Sequence, residues 1–226
     1  MLAFIGYLCL AAALCYLLCS VNFAVLVSKI FRHDDVRDHG SGNAGMTNMM
    51  RVYGKVLGGI TFAGDVLKGF VALWLCDAFI LDKVVANAPA AVADFFAPQY
   101  MLYLCGLMCL IGHAYPLFFG FKGGKGVATT LGIFLFINPV VGFSGLAFFL
   151  LVIYLTGIVS LGSILAGCEM ILANAFLADG PVAAAPVDKI YLALLGAAVI
   201  MFAIIMHKDN IKRLRRGEEK PLKVYK

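Results

Sequence analysis

The stretch Gly126-Val-Ala-Thr-Thr-Leu-Gly-Ile-Phe-Leu-Phe-Ile-Asn138-Pro139-Val-Val-Gly-Phe-Ser-Gly-Leu-Ala-Phe-Phe-Leu-Leu-Val-Ile-Tyr-Leu-Thr-Gly157 decides the fold. It carries no charged side chain, and at 32 residues it is too long for one bilayer crossing, which needs about 20 apolar residues as a helix. Near its middle stands Asn138-Pro139. Proline has no amide hydrogen to donate and pushes the residue before it out of the helical region, so the dipeptide favours a turn. The stretch therefore reads as a hairpin of a short helix, Gly126 to Ile137, and an ordinary one, Val140 to Gly157.

Five more apolar segments lie around it: Leu2 to Ser28, Val56 to Leu81, Tyr100 to Phe121, Ser160 to Ala178 and Ile190 to Met206. The first has no basic n-region, is too long for a signal-peptide core and ends without a small-residue cleavage motif, so it is expected to be retained as a span. Charge gives the orientation. Lys and Arg gather between Lys29 and Lys55, at Lys122 and Lys125, and from Lys208 to Lys226, whereas Asp82 to Gln99 and Asp179 to Lys189 hold one lysine each. The positive-inside rule assigns the three basic regions to the cytoplasm. Seven spans put all of them on that side; six would force the basic tail out. The expected fold is thus a single all-α domain over residues 1–226, a polytopic membrane helix bundle of seven transmembrane helices, the fourth short, with the N-terminus outside and the C-terminus cytoplasmic.

Composition agrees. The chain has 226 residues, 62% hydrophobic and 14% charged, with a mean hydropathy of +0.94, against roughly 45–50% apolar and about 25% charged in a soluble domain. This excludes an ordinary soluble globule and a disordered chain. It also leaves no separate soluble domain for chemistry. The net charge of +5 is mostly the orientation signal, with attraction of the tail to anionic headgroups. Nucleic-acid binding is not expected, because the basic residues lie against the membrane without interleaved stacking aromatics. Seven cysteines, Cys9, Cys15, Cys19, Cys76, Cys105, Cys109 and Cys168, all fall in apolar segments without metal-ligand spacing. They read as small buried hydrophobes, and no metal is expected.

Polar residues collect in four places. The first is Gly40-Ser41-Gly42-Asn43-Ala44-Gly45-Met46-Thr47-Asn48, with Arg51 just beyond. Glycines allow unusual backbone geometry, short hydroxyls and amides supply donors, and arginine offers a fork suited to phosphate or carboxylate. A ligand-wrapping loop and a simple Gly/Asn-rich turn both fit. The second is Gly123-Gly124-Lys125-Gly126 at the start of a helix, where free N–H groups and the helix dipole favour an anion and Lys125 adds a full charge. It lacks the first glycine and the Ser/Thr of a nucleotide-binding P-loop, so nucleotide hydrolysis is not supported. Upstream, His113 falls in an apolar helix and reads as a satisfied bundle histidine. The third is Ser160-Leu161-Gly162-Ser163, whose hydroxyls could cap a helix or reach a ligand. The fourth is His207 and Asn210, three apart on one face at the end of the last span. Seven spans bring all four to the cytoplasmic surface. One composite site for a phosphate-bearing substrate, beside apolar helices able to take an acyl chain, is the economical reading.

The strings Gly-Ser-Gly-Asn-x-Gly-x-Thr-Asn-x-x-Arg (40–51), Gly-His-x-x-Pro-x-Phe-x-x-Phe-Lys-Gly-Gly-Lys-Gly-Val-Ala-Thr (112–129), Ser-Leu-x-Ser (160–163) and His-x-x-Asn-Ile-x-Arg-Leu (207–214) stand in this order. With Asp65-x-x-Lys68-Gly69, they resemble the bacterial PlsY family of acyl-phosphate-dependent glycerol-3-phosphate acyltransferases, over nearly the whole chain. The resemblance implies a seven-helix bundle of the bacterial inner membrane with a cytosolic active site. It also implies acyl transfer from acyl phosphate to the 1-hydroxyl of sn-glycerol 3-phosphate, yielding lysophosphatidic acid and phosphate as the first step of phospholipid synthesis. No cofactor is implied; the partners are glycerol 3-phosphate, acyl phosphate and membrane lipid. Lys125 would clamp phosphate, and Arg51, His207 and Asn210 would contact glycerol 3-phosphate. Ser41 and Ser163 would lie on the phosphate side, with Lys125, Ser41 and His207 as the catalytic set. Gly42, Gly45, Gly123, Gly124 and Gly126 would shape both loops, and Asn43, Thr47 and Asn48 would hold the first. Ala44 and Met46 depart from the family's usual proline and alanine, which bears on loop stiffness.

Two other readings compete. His33 and Asp38 form the His-x4-Asp signature of the unrelated coenzyme A-dependent acyltransferases, but two fixed positions are a weak match and dependence on coenzyme A is not expected. A transporter of a small phosphorylated or carboxylated solute would explain the broken hairpin and the intramembrane Asp65 and Lys68. Against it, the polar clusters gather at one surface.

Overall fold

A computed structural model describes residues 1–177 and 186–222, with backbone only for 186–188. The end of the sixth expected span at Ala178, most of the loop from Asp179 to Lys189 and the last four residues lie outside the described residues. Described residues form helices and connecting turns without strands. In chain order these are α1 (Leu2–Cys19), α2 (Phe23–Arg32), α3 (Met46–Tyr53), α4 (Lys55–Cys76), α5 (Asp82–Ala86), α6 (Pro98–Ala114), α7 (Val127–Ile137), α8 (Pro139–Thr156), α9 (Val159–Leu177), α10 (Pro186–Ile205) and α11 (Lys208–Arg215). Among the described residues, four stretches are long and apolar enough to cross a membrane: Leu2–Arg32, Pro98–Phe119, Pro139–Thr156 and Val159–Leu177. A fifth arises if α10 and α11, bent by 63°, count as one, and α7 is a shorter apolar helix. The protein is an integral membrane protein.

Local chemistry sets the breaks. α7 ends at Ile137 and α8 begins at Pro139, with Asn138 as its N-cap accepting from the Val141 amide at 3.4 Å. The first apolar segment, expected to be one helix from Leu2 to Ser28, is interrupted. α1 stops at Cys19, and Asn22 caps a new helix by accepting from the Val25 amide at 3.1 Å. The break leaves the Val21 carbonyl free of helical bonding, and Lys68 Nζ of α4 donates to it at 2.8 Å. The same ammonium pairs with Asp65 Oδ1 at 2.7 Å. These two intramembrane charges therefore satisfy each other and a helix break, and of the two only Asp65 lines a cavity. The third segment is also shorter than expected: α6 ends at Ala114, and Leu117–Phe119 forms a separate 3-10 turn.

Helices approach where side chains are smallest, as membrane interfaces without a hydrophobic drive require. A Cβ on Gly132 of α7 would strike the Val66 carbonyl of α4, and one on Gly69 would lie 2.8 Å from the Thr129 carbonyl. Gly112 of α6 lies against the Tyr16 carbonyl of α1, Gly145 of α8 against Met170 of α9, and Gly167 of α9 against Ile204 of α10. Asn174 ties three helices together, accepting from Tyr103 Oη at 2.9 Å and donating to the Leu192 carbonyl at 3.3 Å. Outward faces carry large apolar residues such as Phe176 and Leu155, as a lipid-facing surface should.

Cys15, Cys76 and Cys105, from α1, α4 and α6, are buried with their sulfurs within 4.8 Å of one another. They pack in the main core cluster. Sequence spacing gave no sign of this convergence, because the three come from different helices.

Candidate functional site

A cavity of about 680 Å³ opens where the four polar clusters meet. Every residue named from the sequence as a site candidate lines it: Ser41, Gly42, Asn43, Gly45, Thr47, Asn48, Arg51, Gly123, Gly124, Lys125, Gly126, Ser163, His207 and Asn210. His33 and Asp38 do not line it. His33 closes α2 in a left-handed conformation, and Asp38 lines a separate pocket with Arg37 and Lys122.

The first loop is anchored by one residue. Asn48 is buried; its amide nitrogen donates to the Val36 and His39 carbonyls, both at 3.0 Å, and its oxygen accepts from the Ser41 amide at 2.9 Å. Those bonds fold residues 36–48 into a compact turn. Asn48 thus acts as a fastener with no amide proton left over for a ligand. Asn43 and Thr47, expected to share that task, make no side-chain hydrogen bond among the described residues and face the cavity. Further out, Arg37 donates to Asp35 and to the Phe119 and Lys122 carbonyls, at 2.7 and 3.2 Å for the carbonyls, which joins the first loop to the second. Arg51, in the last turn of α3, lines the cavity and has no ion pair among the described residues. Its guanidinium is available for an anion.

The second loop departs from expectation in one respect. The amides of Gly123 and Gly124 donate to the Ala114 and His113 carbonyls at 3.1 and 3.2 Å, closing the exposed end of α6. They are not free for phosphate. From Lys125 to Thr129, by contrast, backbone amides have no protein acceptor among the described residues, as the first turn of a helix dictates. Gly126 holds φ +87° as the N-cap of α7, a conformation suited to glycine. Gly124 is required for space, since a Cβ there would meet the His113 ring and lie 2.7 Å from the Ala44 carbonyl. The run of free backbone amides thus begins at Lys125.

Lys125 and Asn210 bond directly, ammonium to amide oxygen. Asn210 Nδ2 donates to Glu219 Oε1 at 2.6 Å, Ser160 Oγ donates to the same oxygen at 2.7 Å, and Arg213 Nε donates to Glu219 Oε2 at 2.6 Å. One carboxylate thereby gathers α9, α11 and, through Asn210, the second loop. The ion pair, with the hydrogen bonds from Ser160 and Asn210, holds that carboxyl below the usual carboxylate range against the opposing effect of burial. Burial lowers the Lys125 ammonium to about 8, with Glu219 pulling the other way. His207 is lowered to about 4, mainly by burial, and is neutral near pH 7. Its Nδ1 lies 2.8 Å from the Ala203 carbonyl. A carbonyl can only accept, so Nδ1 carries the proton and Nε2 is an acceptor.

Sequence reasoning missed Glu219, quoted Arg213 only within a motif, and left Ser160 open between capping a helix and reaching a ligand. Ser163, expected on the phosphate side, lines the cavity but returns its hydroxyl to the Val159 carbonyl at 3.0 Å. His113 is buried as expected, yet it also lines the cavity, with Nδ1 3.6 Å from Asp65 Oδ1. Deeper in, the wall turns apolar along α8, α9 and α10.

The sequence profile of the family described as Glycerol-3-phosphate acyltransferase matches residues 9–217. A glycerol-3-phosphate acyltransferase of Fusobacterium nucleatum is 40% identical over 210 residues, covering 93% of this chain and 95% of that protein. One from Syntrophomonas wolfei is 38% identical over 206 residues, with 91% and 92% covered. Among solved structures, PlsY, described as an integral membrane glycerol 3-phosphate acyltransferase, matches in its glycerol 3-phosphate form. It shows 33% identity, a TM-score of 0.76 and 96% of each chain covered. Its lysophosphatidic acid form matches with a TM-score of 0.71 and 33% identity.

Proposed function

The chain belongs to the glycerol-3-phosphate acyltransferase family, and on that premise we propose that it moves a fatty acyl group from acyl phosphate to the 1-hydroxyl of sn-glycerol 3-phosphate, releasing 1-acyl-glycerol 3-phosphate and phosphate. The observation that carries this reading is the Lys125–Asn210–Glu219 network with Arg51 lining the same cavity: cations and donors from loops far apart in sequence meet at one polar mouth. That mouth opens onto an apolar interior, so it suits two phosphates and one fatty chain together.

An acyl phosphate is a mixed anhydride and needs no enzyme nucleophile. The glycerol hydroxyl attacks the acyl carbon, the bond from that carbon to the bridging oxygen breaks, and the proton passes to a phosphate oxygen. Arg51 would hold the phosphate of glycerol 3-phosphate by a bidentate contact. Lys125 and the amides at the start of α7 would stabilise the departing phosphate. His207, neutral and with Nε2 as acceptor, would orient a glycerol hydroxyl; a histidine lowered to about 4 is a weak base near pH 7, so positioning dominates. Ser41 and Ser163, which line the same cavity, would supply further hydroxyl contacts. The basic loops support a cytoplasmic site in a seven-span bundle of the bacterial inner membrane, with its N-terminus outside.

The test is purified protein in detergent with palmitoyl phosphate and glycerol 3-phosphate, following phosphate release. Release should fall 10²–10³-fold in Lys125→Ala, the usual loss for one transition-state donor. Robust acylation from palmitoyl-CoA alone would overturn the donor assignment.

A further inference from the structure

The cavity does not stop at its polar mouth. From Ser160, which binds Glu219 at the anion end, α9 runs inward through Ser163, Ala166 and Gly167 to Met170. Opposite it, α8 contributes Phe149, Leu146 and finally Gly145, and α10 ends its contribution at Ile200. Gly145, Met170 and Ile200 are the lining residues furthest along these three helices from the polar mouth. Met170 lies in the notch that Gly145 leaves, so that a Cβ on Gly145 would run into the Met170 side chain. Beyond, the helices close up. Val141, one turn further along α8, is fully buried and shares one packed cluster with Met170, Ile200, Ile133 and Phe134.

We infer that Met170, seated on Gly145, is the stop that sets which acyl chains this enzyme accepts. The inference rests on the acyl-transfer reading above and names the selectivity of the same site. Ten residues of α9 separate Ser160 from Met170, about 15 Å at the helical rise. An extended chain advances about 1.25 Å per carbon, given bonds of about 1.5 Å, so about twelve carbons reach the methionine. Longer chains have to move it aside or turn off along it. A thioether with three rotatable bonds yields to them in a graded way, where a branched or aromatic residue would exclude them. Removing the side chain beyond Cβ vacates three heavy atoms, room for about two to four more carbons by the same arithmetic.

The experiment is competition among saturated acyl phosphates from decanoyl to octadecanoyl, with products separated by mass spectrometry. In Met170→Ala the ratio of octadecanoyl to dodecanoyl product should rise at least threefold over the wild type. In Met170→Phe it should fall by a similar factor. Gly145→Ala pushes the methionine toward the cavity from its other side, so it should also lower the ratio; it serves where a substitution at 170 fails to fold. Active variants with the wild-type ratio would overturn the inference. A wild-type enzyme that ignores every acyl phosphate but accepts acyl-CoA would instead overturn the donor assignment, and the same chain series with that donor would still decide the role of Met170.

Discussion

Replacing Glu219 by glutamine keeps shape and removes only charge, and the geometry dictates how the amide must turn. The carboxylate accepts three bonds: Ser160 and Asn210 on Oε1, Arg213 on Oε2. If the amide oxygen takes the Oε1 position, two bonds survive and the amide nitrogen faces the Arg213 donor. In the reverse orientation two bonds are lost. The first orientation wins, and Arg213, being 43% exposed, recovers partly through water. A hydrogen bond to a charged group is worth about 1.5–3 kcal/mol, and exposure places this loss at the lower end. About 1.5 kcal/mol corresponds to roughly tenfold in kcat/KM for glycerol 3-phosphate, because 1.36 kcal/mol is one decade. A second consequence is specific to the charge. Glu219 is the largest influence holding the Lys125 ammonium up against burial. Phosphate clamping needs the protonated lysine, present below its value of about 8 and lost above it. Without Glu219 that value falls, so the alkaline limb of kcat/KM moves to lower pH. Phosphate release measured from pH 6 to 9 on wild type and Glu219→Gln reads both effects. A variant with a full wild-type kcat/KM and an unmoved alkaline limb would refute the role given to Glu219. A drop in rate with an unmoved limb would show that it acts through its bond to Arg213 without supporting the charge of Lys125.

Two further substitutions probe the loop and the histidine. Gly124→Ala places a methyl against the His113 ring and the Ala44 carbonyl; overpacking of this kind costs about 1–3 kcal/mol. It should lower the melting temperature and raise KM for glycerol 3-phosphate together, and a variant of unchanged stability and KM would show that the loop has slack. His207→Ala should lose most activity yet retain a rate above background, without moving the acid limb between pH 5 and 7, since the histidine is already neutral there. Total loss with unchanged substrate affinity would make it the general base.

How far the sequence could lead depended on whether a feature was local. The proline break between α7 and α8 is local chemistry, and Asn138-Pro139 is legible without any neighbour. The break at Asn22 is equally local, but it lies in a run so apolar that the capping signal was submerged. Loop glycines were legible as special and ambiguous as to why: free N–H groups and N–H groups closing a neighbouring helix need the same residues. Only the position of the Ala114 and His113 carbonyls decides that Gly123 and Gly124 do the second. Glu219 was hidden by its surroundings, because Glu218-Glu219-Lys220 in a basic tail reads as a solvated face. What turns it inward is a pair of backbone tethers on either side, Glu218 N–H to the Arg213 carbonyl at 2.8 Å and Leu222 N–H to the Gly157 carbonyl at 2.9 Å. Both depend on where α8 and α11 end in space. The same reasoning applies to Met170, which reads as one more apolar residue in an apolar helix until Gly145 is found opposite it. In a chain this apolar, polarity marks the site from the sequence, but the selectivity of its greasy half is carried by size, and size acquires meaning only when the facing residue is known.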